Sequence, residues 1–177
     1  MKSFNPLISI WLSETTYDLA LDNKDALAGD AYKNAENYYK SVFEKTGGSI
    51  NFYPDKSGAL PTAELYHRET SEFSVQDVKD FCKKHGITEN VFFISAFGIT
   101  LGKYNFRKDA VFTTIYHGRN DSRLSETVGM LVKTLPVYCD FSGNAKDCLA
   151  GVQQQLIDSM NNDIYPFSQI SHEFNIK

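Results

Sequence analysis

From Val91 to Leu101 the sequence leaves water almost no polar face. Val91, Phe92, Phe93, Ile94, Ala96, Phe97, Ile99 and Leu101 crowd together, with Thr88 placed to cap the helix they predict and Tyr104 near its end. A helix that is apolar nearly all round is expected to be buried on several sides. No apolar stretch in the chain reaches the ~18 residues a bilayer span requires, so the burial must come from the protein itself. Gly98 and Gly102, four residues apart, predict that a neighbouring element comes close to this helix. The next run, Asp109-Ala110-Val111-Phe112-Thr113-Thr114-Ile115-Tyr116, predicts a strand apolar enough for a sheet covered on both faces.

Around this pair the chain alternates helix and strand signals. Residues 6–21 suggest a short helix. Leu27, Ala31, Ala35, Tyr38, Tyr39 and Val42 recur at helical spacing over residues 26–44, with Gly47-Gly48 as a stop. Residues 49–61 hold Pro54, Gly58 and Pro61 and read as a linker loop. Residues 63–73 suggest a strand. Ser74 with Asp77 has the form of a capping box, and Gly86 ends the helix that follows. Extended chain is expected from Val128 to Asp140. Asn144 opens an amphipathic helix through Leu149, Val152, Leu156 and Met160, and Pro166 starts a last one carrying Phe167, Ile170 and Phe174. The class is therefore α/β or α+β, a mixed β-sheet flanked by helices.

Composition narrows the chemistry. A net charge of -4, with no long cluster of Lys and Arg, argues against a nucleic-acid binder. Cys82, Cys139 and Cys148 include no CxxC pair, so buried free thiols are expected rather than disulfides or a zinc site. The N-terminus has no signal-peptide pattern, and a cytoplasmic protein is expected. No phosphate-binding glycine loop and no HExxH occurs. His67, His85, His117 and His172 stand apart in sequence without a local nucleophile and carboxylate, and each reads as structural. His117 is the most suggestive, because it ends a strand. Gly118-Arg119 behind it reads as a turn closed by a salt bridge, with anion binding as the alternative.

The order of these features resembles the C-terminal half of a nonribosomal peptide synthetase condensation domain. In that family a Thr-capped apolar helix leads to a strand ending in Gly-Arg, as at Gly118 and Arg119, and then to (Ile/Val)-Gly-x-Phe-Val-Asn-Thr. Val128-Gly129-Met130-Leu131-Val132-Lys133-Thr134 is similar, with Leu131 for Phe and Lys133 for Asn. A family Arg beyond the motif falls on Tyr138. The later His/Asn-Gln-Asp-x-Pro-Phe-Glu pattern survives as Asn162, Pro166 and Phe167, and Tyr38-Tyr39 resembles the Tyr-Trp before the family's inter-lobe linker. The resemblance covers roughly residues 26–176.

This resemblance implies half of a chloramphenicol-acetyltransferase-like, two-lobed fold. Residues 1–48 would be a helical crossover segment, 49–61 the linker, and 62–177 an incomplete C-terminal lobe. It implies a parent enzyme that joins a carrier-bound thioester donor to an aminoacyl acceptor. The phosphopantetheine arms of carrier proteins would serve as substrates, with no cofactor or metal bound directly. Expected partners are the N-terminal half, peptidyl carrier domains and an adenylation domain, with neither nucleic acid nor membrane. Gly118, Arg119, Val128, Gly129, Met130, Leu131, Val132, Lys133 and Thr134 are expected in the substrate-tunnel wall, and Asn162, Pro166 and Phe167 in a structural role. The family's His-His-x-x-x-Asp-Gly motif is absent from these 177 residues. No catalytic residue is therefore assigned, and the isolated chain is expected to be inactive and to self-associate through exposed apolar surface. Two other functions fit the same residues: a non-catalytic carrier-docking module, and a CoA-dependent acyltransferase completed by a partner chain.

Overall fold

A computed structural model describes residues 15–44, 46, 65–67, 69–119 and 122–174. Its helices are α1 (Thr16–Leu27), α2 (Asp30–Phe43), α3 (Val75–His85), α4 (Glu89–Tyr104), α5 (Ala145–Asn161) and α6 (Phe167–Phe174). Strands β1 (Asp109–Tyr116) and β2 (Lys133–Asp140) form an antiparallel sheet, with Ala110 opposite Cys139 and Tyr116 opposite Lys133. No helix among the described residues is long and apolar enough to cross a membrane.

Local chemistry accounts for most of the boundaries. Ser74 and Asp77 form the predicted reciprocal capping box on α3, and Gly86 ends that helix in the left-handed conformation at φ 66°. Thr88 caps α4 by accepting from the Val91 N–H, and Asn144 caps α5 by accepting from the Asp147 N–H. The helical signal over residues 26–44 resolves into α1 and α2, divided at Gly29, which is extended. The stop at Gly47-Gly48 and the linker at 49–61 lie outside the described residues.

The sheet carries a core on each face. On one side Val91, Ile94 and Leu101 of α4 pack with Ala110, Val137, Cys139 and the apolar stripe of α5. On the other side Tyr39 and Phe43 of α2 pack with Val111, Tyr165 and Ile170. Ala110 and Val111 point into opposite clusters, as alternation along a strand demands. Tyr39 stacks on Phe43 and Tyr165, and Phe43 meets Phe174. Such pairs contribute ~0.5–1.5 kcal/mol each beyond the area they bury.

Helix α5 closes the outer edge of β2. The Gln155 amide donates to the Pro136 carbonyl at 3.1 Å and accepts from the Tyr138 N–H at 3.2 Å, as a neighbouring strand would. Pro136 fits here because the side of its backbone that lacks N–H faces this edge rather than the ladder.

Three expectations are corrected. The described part of residues 63–73 forms no strand: Leu65 is fully exposed, and no neighbouring strand lies beside it among the described residues. Helix α4 is buried along one side rather than several, for Phe93 and Phe97 stay about half exposed, even though the Phe97 ring meets Phe112 of β1 edge-on. Finally, β1 is not covered on both faces along its length: Ala110, Val111 and Tyr116 are buried, but Ile115 is largely exposed. The two glycines of α4 behave as predicted. A Cβ on Gly98 would lie 2.7 Å from the Cys139 Cβ, and one on Gly102 would lie 2.8 Å from the Asp109 carbonyl oxygen and still closer to the Phe141 ring.

Candidate functional site

Where β1 ends, the chain turns on Gly118. Its φ is +69°, and a Cβ there would lie 1.9 Å from the Leu131 carbonyl oxygen, so any side chain would displace the returning segment. His117 is exposed, and its Nδ1 accepts from the Arg119 N–H at 2.9 Å. That bond gives His117 a turn-forming role.

Arg119 defines the excursion that follows. Its Nη1 donates to the carbonyl oxygens of Leu124 and, at 2.9 Å, Thr127; its Nη2 donates to that of Gly129 at 3.4 Å. The expected turn is present, and among the described residues the partners that close it are backbone carbonyls rather than a carboxylate. Beyond it residues 127–132 hold neither helix nor strand, and the chain bends at Gly129 before β2 begins. Leu131 is buried, whereas Val128 and Met130 are more than nine-tenths exposed and Val132 is about half exposed. Gly118, Leu124, Met130 and Leu131 line a hollow of about 160 Å³ beneath this strip.

Lys133 links the strip to the second motif. Its Nζ lies 2.9 Å from Asp163 Oδ1 and donates to the Asp163 carbonyl at 3.2 Å. Thr134, Leu135, Ile164, Tyr165 and Phe167 line a larger cavity of about 440 Å³ beside this pair. Lys133, Thr134, Pro166 and Phe167, predicted from separate motifs, thus border one cavity. Asn162 instead closes α5, its backbone N–H and its side-chain amide both donating to the Asp158 carbonyl.

Sequence reading passes over Asp163 and Tyr165. Tyr165 is buried and donates to Glu173 at 2.9 Å; burial first, and then that carboxylate, raise its pKa. Tyr39, buried and donating to the Ser159 carbonyl at 3.3 Å, is likewise raised by burial. The aromatic richness of the sequence is a signal for this cluster, but nothing in it marks a lysine and an aspartate thirty positions apart as partners.

The arrangement can hold and align a ligand. His67, His85, His117 and His172 are all exposed and lie on separate segments. Among the described residues no group of three or more His, Cys, Asp or Glu could hold a metal. What converges is an apolar strip on a pinned loop beside two hollows.

The family model for the condensation domain matches residues 12–177. The chain is 27% identical over 135 residues to nonribosomal peptide synthetase sidC of Arthroderma benhamiae, covering 75% of this chain and 3% of that one. It is 26% identical over 185 residues to surfactin synthase subunit 1 of Bacillus subtilis, covering 96% of this chain and 5% of the relative. Among solved structures, the first condensation domain of the calcium-dependent antibiotic synthetase superposes with a TM-score of 0.73 at 14% identity, covering 92% of this chain and 37% of that one. The chain therefore spans a small part of each relative and little more than a third of that solved domain.

Proposed function

Because the chain belongs to the condensation domain family of nonribosomal peptide synthetases, we propose that it is the C-terminal lobe of a domain that forms amide bonds between carrier-bound substrates. The donor is an acyl or peptidyl thioester on one phosphopantetheine arm, and the acceptor an aminoacyl group on another. The acceptor amine attacks the thioester carbonyl, the C–S bond breaks, and the thiolate leaves and takes up a proton. Thiolates leave readily, so alignment of the two arms supplies much of the rate. Carrier domains, an adenylation domain and an N-terminal lobe are the partners this reading requires, and the lobe brings the acid–base histidine that these 177 residues lack.

The observation that carries the reading is the apolar strip. Val128, Met130 and Val132 face solvent from a segment pinned by Arg119, in the motif order of the family. Such a strip serves as a tunnel wall, with Gly118 and Arg119 fixing its path and Lys133 and Thr134 tying it to β2.

Mass spectrometry of acyl- and aminoacyl-loaded carrier proteins tests this. The chain alone should yield no amide, and the chain paired with a lobe bearing His-His-x-x-x-Asp-Gly should yield it. In that pair Met130→Glu and Val132→Glu should lower turnover by roughly tenfold or more with an unchanged melting temperature. Amide formation by the chain alone, or turnover indifferent to both substitutions, would sink the proposal. Hydrolysis or transfer of acyl-CoA by the isolated chain would instead identify a free-standing acyltransferase.

A further inference from the structure

The sulfurs of Cys139 and Cys148 lie 3.4 Å apart, both thiols free and both buried. Cys139 is near the end of β2, and Cys148 is in the first turns of α5. Cys139 is wedged against Gly98 of α4: a Cβ on that glycine would fall 2.8 Å from the Cys139 Sγ. Nothing larger than glycine on α4 would leave the thiol room to sit facing Cys148.

Cys148 has access that Cys139 does not. It lines a cavity of about 440 Å³ together with Val42, Tyr138, Asp140, Asn144 and Gln155. That cavity opens beside the start of α5, away from the strip and the Lys133–Asp163 pair. Cys82, the third thiol, is buried on α3 with Val78, and no sulfur faces it among the described contacts.

We propose that Cys139 and Cys148 form an oxidisable dithiol, in which Cys148 takes the oxidant through this cavity and Cys139 resolves it to a disulfide. With hydrogen peroxide as oxidant, the Cys148 thiolate attacks one peroxide oxygen, the O–O bond breaks, and hydroxide leaves to be protonated to water. The sulfenic acid formed is attacked by Cys139 sulfur, which expels a second water as the S–S bond forms. Two thiols and one peroxide thus give one disulfide and two waters, the sulfurs losing two electrons and the peroxide gaining them. Bonding requires the sulfurs, 3.4 Å apart, to close by about 1.4 Å toward the ~2.04 Å of a disulfide. Cys148 is the sulfur that the cavity reaches and so reacts first; the hydrogen bond shared by the two sulfurs, which holds the Cys148 thiol low and pushes Cys139 up, acts in the same sense.

The test is peroxide treatment of the full chain, followed by alkylation, intact mass and peptide mapping. Expected is a Cys139–Cys148 cross-linked peptide within a monomer, reversed by reductant and forming at least about tenfold faster than Cys82 is modified. In Cys139→Ser the oxidation should stop at Cys148 as a sulfenic acid that dimedone traps. Oxidation of all three thiols at one rate, a cross-link between chains, or sulfinic acid at Cys148 of the unaltered chain would overturn the proposal.

Discussion

Arg119 donates its guanidinium hydrogens to three backbone carbonyls on the segment between β1 and β2. Lysine has the same charge but only a point donor, and it cannot reach three oxygens in fork geometry. Arg119→Ala should cost about 1–2 kcal/mol, the scale of charged hydrogen bonds to partly exposed groups. Hydrogen exchange over residues 124–131 should quicken, and Arg119→Lys should not restore it. Unchanged exchange in Arg119→Ala would show that the segment keeps its path without the guanidinium. The turn at Gly118-Arg119 was legible in the sequence. The carbonyl partners were not, because a carbonyl carries no side-chain identity and the charge of arginine suggests a carboxylate instead. The Lys133–Asp163 pair was hidden for another reason: the resemblance points to Lys133, but nothing marks Asp163 as its partner until β2 and the α5–α6 turn are placed side by side.

At the level of elements, the helix caps were the most readable features. Ser74, Thr88 and Asn144 each act through an N–H three residues on, so the whole interaction lies within one window of sequence. The strand expected at residues 63–73 failed because local pattern does not specify a pairing partner. The junction of α2, Tyr165 and α6 makes its own prediction. Burial raises Tyr38, Tyr39 and Tyr165 above the ordinary tyrosine value of 10.0. In the unfolded chain these phenols ionise near pH 10 while the folded ones keep their protons. Their contribution to stability is therefore full below pH 10 and is lost as pH rises from there through the folded values. Urea midpoints measured from pH 8 to about 11.5 should fall along the upper part of the range, and Tyr39→Phe should flatten that fall. An equally steep fall in the variant would place the alkaline sensitivity elsewhere.

For the whole molecule, the class was legible because the caps, the apolar helix and the strand all pointed to one layered arrangement, which the two clusters flanking the sheet realise. Its exposed surface was less legible, since an apolar residue looks the same in sequence whether or not something covers it. Phe93, Phe97, Ile115, Val128 and Met130 all face solvent. The outer edge of β2 is occupied by Gln155, so association should run through the α4 face and the side of β1. Light scattering across micromolar concentrations should give a mass that rises with concentration, and Phe93→Lys should lower it. A constant monomer mass would remove this expectation. The Arg119 clamp has one further consequence. It reads the course of the main chain and is blind to the letters written on it, so Val128 and Met130 can be exchanged for other side chains while the loop keeps its trace. The fold thereby separates where the strip lies from what it displays, which makes those two positions natural sites for changing the surface of the strip without rebuilding its support.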